Sequence, residues 1–321
     1  MKALVTGASG FIGSHLAEAL LKRGYEVRCL VRNTSALKWL DGLEFILCRG
    51  DCTDPGSLRE AAKGVDYVFH LAGLTKARRE EDFYHVNAKG TQHMAEAVLR
   101  ENPSLKKFVF LSSQAAAGPS IKGKPVKETD APNPVSHYGK SKREGEEAVF
   151  RYADKFPVVI IRPSAVYGPR DRDLFLLFKL LRSGFYPYWG ESRYSLIYVD
   201  DLISGIIKAA ESDCSGGKIY FLSDERPYTN NELISLISSI YGKKPLKLPV
   251  PRPLMSAVAV AGSLFKGFPS IINRDKMREL SYRDWICDSS KAREELGFIS
   301  KITLKEGIKW TADWYRIHRW L

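Results

Sequence analysis

Lys2-Ala-Leu-Val-Thr-Gly-Ala-Ser-Gly-Phe-Ile-Gly13 is the stretch that decides the fold. Its apolar first half ends in a Gly-x-x-Gly-x-x-Gly turn, and an apolar-periodic stretch follows as far as Arg23, which predicts a strand, a tight turn and a helix. The first glycine permits the turn, the second admits a pyrophosphate to the backbone, and the third lets helix and strand pack closely. The helix start offers unpaired N–H groups to an anion. The sequence therefore predicts a dinucleotide site formed by Gly7, Gly10, Phe11, Ile12 and Gly13.

The rest of the first half of the chain repeats this alternation of strand and helix. Short apolar runs are typical of buried parallel strands when helical patterns separate them. These patterns predict an α/β fold with a Rossmann-type doubly wound parallel sheet. The predicted strands are Tyr25–Val31, Leu43–Cys48, Val65–Leu71, Lys107–Ser112 and Val158–Arg162, with helices at Thr34–Leu40 and Ser57–Lys63.

The pattern loosens after Tyr167, where glycine and proline interrupt shorter elements. We predict an NAD(P)-binding Rossmann domain over residues 1–167. Residues 168–321 are then a smaller C-terminal α/β lobe, mainly for substrate, with elements that return to the first domain. The apolar segment Leu254–Phe265 is too short to cross a bilayer, so we expect a buried or interfacial helix there and no integral membrane segment.

The formal net charge of +12 raises the question of a nucleic-acid partner. Basic residues are mixed with acidic ones, as in Lys140–Glu147, and no aromatic-interleaved basic run appears, so no nucleic-acid partner is predicted. The five cysteines lack a Cys-x-x-Cys pair and the histidines lack ligand spacing, which predicts neither disulfides nor a metal site. A reducing, cytoplasmic location is expected.

The residues that end the second and third strands bear on the cofactor. The second strand ends at Arg32 with no carboxylate for a ribose hydroxyl, and a guanidinium suits a 2′-phosphate, so NADP is favoured over NAD. The alternative is a surface arginine that stacks on adenine in an NAD enzyme. Asp51 and Cys52 are expected near the adenine, although Asp51 is equally suited to capping the next turn. The turn after strand four places Leu71, Ala72 and Gly73 near the adenosine ribose.

Tyr138-Gly-Lys-Ser-Lys142 begins a helical stretch, and its four-residue step puts tyrosine and lysine on one face. A free phenol has a pKa of about 10, and an adjacent ammonium favours the phenolate. Tyr138 is therefore a candidate acid/base, and Lys142 is a candidate to tune it and to reach the nicotinamide ribose. A strand ending in Ser112-Ser113 lies between this pair and the glycine turn, and it offers hydroxyls at the carboxyl edge of the sheet.

Over nearly its whole length the sequence resembles extended short-chain dehydrogenase/reductases, the epimerase/dehydratase group. The resemblance implies that Ser113 is the catalytic hydroxyl beside Tyr138, that Pro163 lies where the chain passes the nicotinamide, and that the protein forms a homodimer. The matching stretches are Thr6–Gly13, His70–Gly73, Val86–Thr91, Leu111–Ser113, Tyr138–Lys142, Arg162–Pro169 and Tyr198–Asp201.

The sequence departs from the dehydratases, which carry an Asp-Glu pair after the catalytic hydroxyl where this chain has Gln114-Ala115. Dehydration is therefore disfavoured. Three features resemble the 3β-hydroxysteroid dehydrogenase and dihydroflavonol reductase branch: the end of the second strand at Leu30-Val-Arg32, the alanine-rich stretch after Ser113 and the apolar segment Leu254–Phe265. This resemblance favours a small-molecule ketone or alcohol oxidoreductase. A UDP-sugar 4-epimerase with tightly bound NAD stays open as the alternative. A non-catalytic dinucleotide sensor is disfavoured because it would not need Ser113, Tyr138 and Lys142 together.

Overall fold

The computed structural model describes residues 1–213, 216–250 and 274–321. A seven-stranded parallel sheet forms its centre, with spatial order β11-β6-β5-β4-β1-β2-β3. The order reverses between β1 and β4, and ligands of open α/β sheets bind outside the carboxyl ends at such a switch point. The doubly wound Rossmann fold is thus confirmed. The strands are β1 Lys2–Thr6, β2 Glu26–Val31, β3 Ile46–Arg49, β4 Tyr67–His70, β5 Lys107–Leu111, β6 Val158–Pro163 and β11 Lys218–Leu222.

Helices cover both faces of this sheet. One layer contains α1 (Phe11–Lys22) and α8 (Val199–Glu211), and the other contains α2 (Arg59–Ala62), α4 (Gly90–Glu101) and α6 (His137–Phe150). Successive side chains of a strand point to opposite faces, so one strand supplies both cores. In β1, Val5 belongs to the core under α1, while Leu4 belongs to the core under α4. This two-sided burial explains the nearly continuous apolar runs.

Short elements connect these layers near the site. A 3₁₀ turn at Pro55–Leu58 precedes α2, which agrees with the helix predicted at Ser57–Lys63. The helix α3 (Glu80–Tyr84) runs through a π-helical turn, His85–Lys89, into α4. A single turn, α5 (Gln114–Ala117), directly follows β5.

The remaining elements belong to the C-terminal half, where small sheets pair β10 with β7, β12 with β9 and β14, and β13 with β8. The strand β11 returns to the edge of the main sheet beside β6, while the domain boundary stays a prediction. The strands are β7 Ala165–Tyr167, β8 Phe185–Tyr188, β9 Arg193–Tyr194, β10 Leu196–Tyr198, β12 Tyr228–Thr229, β13 Leu246–Pro249 and β14 Asp284–Trp285. The helices are α7 Arg172–Arg182, α9 Asn230–Ser239, α10 Arg274–Leu280, α11 Ser290–Leu296 and α12 Leu304–Ile317.

One local prediction was wrong: residues 34–40 form turns and no helix. Leu40 is buried in the core, and the Trp39 ring packs 5.5 Å from that of Trp314 in α12. Long-range contacts therefore hold this segment in place of a helical hydrogen-bond ladder. The predicted helix over Leu254–Phe265 lies outside the described residues. Within residues 1–213, 216–250 and 274–321, no helix is long and apolar enough to cross a membrane.

Candidate active site

Backbone atoms pack closely against the glycine turn between β1 and α1 at Gly7 and Gly13. Gly7 has φ +69°, and a Cβ atom there would lie 2.8 Å from the Ala72 nitrogen. A Cβ atom on Gly13 would lie 2.2 Å from the Gly7 carbonyl oxygen. Real Cβ atoms do not approach backbone this closely, and an L side chain at positive φ is strained. The turn therefore requires glycine at both positions.

Among the described residues, the first N–H groups of α1 have no hydrogen-bond acceptor. Gly10 is the N-cap and supplies no side-chain acceptor, and the first turn of the helix holds no acidic residue. The N–H groups of Phe11, Ile12 and Gly13 precede the first intrahelical donor, Ser14, which bonds the Gly10 carbonyl at 3.1 Å. Unpaired donors and the positive end of the helix dipole together fit a pyrophosphate. The cradle observed here thus fits the dinucleotide that the sequence predicts.

A buried polar network braces the neighbouring turn after β4. Thr6 Oγ1 lies 2.9 Å from His70 Nδ1 and accepts the Ala72 N–H at 3.0 Å. The other ring nitrogen of His70 lies 3.1 Å from Thr91 Oγ1 on α4. Burial lowers the pKa of His70 to about 3, so the ring is neutral. The network sets Leu71 and Ala72 beside Gly7, at which a Cβ atom would lie 2.8–2.9 Å from their backbone atoms. That Leu71, Ala72 and Gly73 lie near the adenosine ribose stays a prediction.

Two arginines meet at the carboxyl end of β2. Arg32 is exposed, and its carbonyl accepts from Arg49 Nη1 at 3.2 Å. The register pairs Val31 with Arg49, so Arg32 and Arg49 both belong to this edge of the sheet. Sequence reasoning considered Arg32 and overlooked Arg49, whose signal was its place at the end of the adjacent parallel strand. The pair supplies positive charge suited to a phosphate.

The predicted adenine-side residues are held by local contacts. One carboxylate oxygen of Asp51 accepts from both the N–H and the hydroxyl of Thr53, at 2.9 and 2.8 Å. This is the turn-capping role that the sequence left open. Cys52 is buried in the core with Leu58, and its carbonyl accepts from His93 Nδ1 at 2.9 Å. Its thiol therefore packs against apolar side chains.

Ser113 and Tyr138 meet at the carboxyl end of β5. Ser113 is the N-cap of α5, and its Oγ accepts the Ala115 N–H at 3.1 Å. Because that contact uses an acceptor site of the hydroxyl, its proton stays available for the hydrogen bond to Tyr138. Burial raises the pKa of Tyr138 to about 12, and the bond from Ser113 opposes the rise. The structure thus brings together a proton-carrying phenol and a serine that stabilises its phenolate.

Lys142 lies on α6, one turn after Tyr138. Its Nζ donates to the Leu111 carbonyl at 2.6 Å and lies 4.3 Å from the centre of the Phe110 ring. Burial lowers the pKa of Lys142 to about 7, against the opposing charge of Glu146. A Cβ atom on Gly73 would lie 3.7 Å from this ammonium, so Lys142 adjoins the turn after β4. Pro163 is buried at the end of β6, one strand beyond β5.

Sequence reasoning missed a buried ion pair that involves α6, the helix that carries Tyr138 and Lys142. Arg162 is 1% exposed and donates to both oxygens of Glu146, at 2.8 and 2.6 Å. Ser112 Oγ donates to the same carboxylate at 2.6 Å. Paired and hydrogen-bonded, the two charges fix α6 against β5 and β6, whereas removal of one partner would leave the other uncompensated. The signal was weak because Glu146 and Arg162 lie on different elements.

A second missed contact joins the C-terminal half to the start of α6. Asp275 on α10 accepts the N–H groups of His137 and Tyr138, at 2.6 and 3.0 Å. Glu279, one turn further on, accepts from the Ser136 hydroxyl at 2.8 Å. Both acids are 8% exposed. Tyr138, the candidate acid/base, is therefore held by residues about 140 positions later in the sequence.

Two buried side-chain amides, those of Asn87 and Gln114, differ in their hydrogen bonding. Asn87, in the π-helical turn, accepts the Leu74 N–H at 2.7 Å and donates to the Leu74 carbonyl and to Ser141 Oγ, at 3.0 and 2.9 Å. Gln114, next to Ser113, is 4% exposed, and among the described residues its Nε2 has no hydrogen-bond partner. A buried donor without a partner is costly, so this amide is a candidate to bond substrate.

Comparison with known proteins agrees with this geometry. The chain belongs to the NAD-dependent epimerase/dehydratase family, whose model matches residues 3–222, and is thus an extended short-chain dehydrogenase/reductase. It is similar to the ceramide reductase of Caulobacter vibrioides, with 36% identity over 99% of this chain and 95% of the relative.

Two further similarities extend the comparison. A Stigmatella aurantiaca ketoreductase, named for 4-hydroxy-2-methyl-3-oxo-4-farnesyl-3,4-dihydroquinoline-1-oxide, is 28% identical over 96% of this chain and 95% of its own length. The crystal structure of the UDP-glucuronic acid 4-epimerase of Bacillus cereus, with UDP-glucuronic acid and NAD, has a TM-score of 0.79 and 27% identity. It covers 99% of this chain and 100% of that structure's chain. These comparisons show that the chain is an enzyme of a family that contains oxidoreductases and epimerases.

Proposed function

We propose that the protein is an NAD(P)-dependent oxidoreductase that interconverts a ketone and a secondary alcohol on a lipid-like small molecule, with Tyr138 as acid/base. The observation that carries this proposal is the hydrogen bond between Ser113 and Tyr138 at the carboxyl edge of the sheet, the edge at which the glycine turn follows β1. Lys142 adjoins the same edge. A non-catalytic dinucleotide sensor would not need these three groups together.

The residues divide the chemistry of carbonyl reduction between them. The nicotinamide, when bound, supplies the hydride. Tyr138 gives its proton to the substrate oxygen, and Ser113 donates a hydrogen bond that stabilises the phenolate left behind. Lys142, with its pKa lowered to about 7, is protonated or neutral near physiological pH and can return a proton towards Tyr138. Alcohol oxidation uses the same groups in reverse.

Three parts of the dinucleotide have candidate ligands among the residues described above: the pyrophosphate, the nicotinamide ribose and the 2′-phosphate. The open N–H groups of Phe11, Ile12 and Gly13 hold the pyrophosphate, and Lys142 reaches the nicotinamide ribose. Arg32 and Arg49 hold a 2′-phosphate, which supports a preference for NADP. The family is NAD-dependent by its description, so the preference for NADP is the finer and separate claim.

Two observations support a ketone or alcohol of a lipid. The Caulobacter relative is named for ceramide and the Stigmatella relative for a farnesylated ketone, and each matches this chain over more than nine-tenths of both lengths. Gln114-Ala115 next to Ser113 lacks the acidic pair that dehydration would use. Gln114 Nε2, which has no hydrogen-bond partner within the described part of the chain, suits a substrate with a second oxygen near the reacting carbon.

The epimerase is the second candidate, because the solved Bacillus structure shares the fold at 27% identity and holds both UDP-sugar and NAD. Epimerisation returns the hydride to the same substrate, so its cofactor is retained, whereas a reductase exchanges its cofactor in every turnover. The retention of the cofactor therefore separates the two functions.

The test is mass spectrometry of the small molecules released on denaturation, followed by turnover assays with NADPH, NADH and a long-chain ketone. We expect no tightly retained NAD and stoichiometric oxidation of NADPH as the ketone is reduced. Retained NAD, together with interconversion of UDP-sugars and no net oxidation of added NADPH, would replace the reductase by the epimerase.

A further inference from the structure

The first turn of α6 is closed by two carboxylates from α10. The early N–H groups of a helix have no partner within it, and those of His137 and Tyr138 are both taken by Asp275, one on each carboxylate oxygen. The next one, of Gly139, is accepted by Ser136 Oγ at 3.0 Å. Ser136 in turn donates to Glu279 at 2.8 Å. All three donors are therefore held by buried protein groups.

This arrangement fixes the backbone that carries the catalytic phenol. A carboxylate at a helix N-terminus is favoured by the helix dipole, and a bidentate acceptor allows less movement than a single contact. Tyr138 also packs its ring 6.1 Å from that of Phe83 on α3. Its hydroxyl thereby keeps its place against Ser113.

One of the two carboxylates, that of Glu279, also brings negative charge to the phenol. Glu279 raises the pKa of Tyr138, in addition to burial, because a nearby negative charge disfavours the phenolate. Lys276 pairs with Glu279 at 2.8 Å and offsets part of that charge. The charged or titratable groups around Tyr138 and this pair are Lys142 and Glu146 on α6, His137 at its start, Glu80 on α3, Asp275, Lys276, Arg278 and Glu279 on α10, and Asp173 and Tyr194 beside Lys276.

We propose that Asp275 and Glu279 are positioning residues for Tyr138: Asp275 fixes the first turn of α6, and Glu279, bonded to the N-cap Ser136, holds a negative charge at the same helix start. The inference rests on the proposed function for the role of the Tyr138 proton. Reduction needs the protonated phenol, so the charge of Glu279 extends reduction towards alkaline pH.

The central test is the pH profile of ketone reduction in Glu279→Gln. The amide oxygen still accepts from Ser136, but the negative charge is gone, so the alkaline limb of kcat should move to lower pH by about half a unit or more. Glu279→Asp keeps the charge and should restore a profile close to that of the wild type. Lys276→Gln removes the offsetting cation and should move the limb in the opposite direction. Asp313→Asn, on the exposed face of α12, is the control for a remote loss of charge.

Asp275→Asn tests whether Asp275 fixes the first turn of α6. Asparagine has one acceptor oxygen, so one of the two N–H groups loses its partner. We expect kcat to fall by about tenfold or more while the KM for the cofactor is unchanged, because the reacting phenol is displaced and the glycine turn is not. An equal effect on both constants, or an unchanged kcat, would overturn the positioning role of Asp275.

A second readout needs no substrate. The ultraviolet absorbance of tyrosinate, taken as the difference from Tyr138→Phe, should begin to rise at lower pH in Glu279→Gln and at higher pH in Lys276→Gln. Coincident curves for wild type and both variants would overturn the role of Glu279. Should Glu279→Gln not fold, Lys276→Gln decides alone. Failure of the wild type to reduce any ketone would instead sink the proposed function and leave this titration valid.

Discussion

The starts of α1 and α6 lie at the same edge of the sheet and are completed in opposite ways. At α1, Gly10 supplies no side-chain acceptor and no acidic residue follows in the first turn. At α6, Ser136 and Asp275 accept the N–H groups of the first three residues. One helix start is left open and the other is closed by the protein.

The difference follows from what each helix presents. An anionic ligand binds at open N–H groups, so an acid at α1 would compete with it and repel it. In the proposed mechanism the functional group at α6 is the side chain of Tyr138, so the helix start must fix the position of that residue and need not bind a ligand. Its helix start is accordingly filled by a carboxylate from elsewhere in the chain. On the proposed function, the open start of α1 binds the cofactor, whereas the closed start of α6 carries the reacting phenol.

The largest expected effect on cofactor binding comes from distorting the open start of α1 with Gly13→Ala. The new Cβ atom would lie 2.2 Å from the Gly7 carbonyl oxygen, so the turn must move. We expect a loss of roughly 3 kcal/mol in the free energy of unfolding and a cofactor affinity about a hundredfold weaker. Urea unfolding and fluorescence titration with NADPH measure the two. Gly56→Ala is the matched control, since its Cβ atom would meet only Asp54 Oδ1 at 3.4 Å. Unchanged affinity would show that the turn does not carry the pyrophosphate.

A smaller effect is expected from Arg32→Ala, which tests the far end of the same binding region. Loss of a charge-assisted hydrogen bond to phosphate costs about 1.5–3 kcal/mol. NADPH should therefore bind about ten- to a hundredfold more weakly, while NADH binding changes little. Arg49→Ala should act in the same direction, because both arginines belong to this edge. If both cofactors weaken equally, Arg32 stacks on adenine and the preference for NADP is withdrawn.

The smallest effect is on stability in acid and again concerns the α1 side. His70 is buried and its pKa is lowered from 6.5 to about 3, so the unfolded chain binds a proton that the folded chain does not. The free energy of unfolding should fall as the pH drops below 6.5, by about 1 kcal/mol over the first pH unit. Urea unfolding without cofactor measures the slope. His70→Gln should reduce the slope and leave the part due to His15, whose pKa burial lowers to about 4, whereas His318→Gln, at an exposed position, should leave the slope unchanged. A slope that His70→Gln leaves intact would contradict this origin.

Local patterns predicted the binding side of the comparison well. The turn at Gly7–Gly13, the strands β1 to β6 and the shared face of Tyr138 and Lys142 all follow from spacing over a few residues. The helix predicted at Thr34–Leu40 was wrong because distant contacts, such as that of Trp39 with Trp314, decide that segment. Periodicity carries no information on such contacts.

The closed helix start shows the same limit at the candidate site. Ser113, Tyr138 and Lys142 were named from motifs, whereas Asp275 and Glu279 belong to a short helix that no sequence signal ties to α6. The pair of Glu146 and Arg162 was missed for the same reason, since each residue alone looks like an ordinary surface charge. Which buried charges meet is decided by the tertiary packing of distant segments.

The most direct test of the account is single-turnover reduction by Tyr138→Phe with saturating NADPH and a long-chain ketone. Tyr84→Phe is the matched control, because its hydroxyl contacts His137 and not Ser113. We predict that Tyr138→Phe binds NADPH normally while the chemical step slows by about 10²- to 10⁴-fold, and that Tyr84→Phe keeps nearly the wild-type rate. Reduction by Tyr138→Phe at the wild-type rate would contradict the assignment of Tyr138 as the proton carrier.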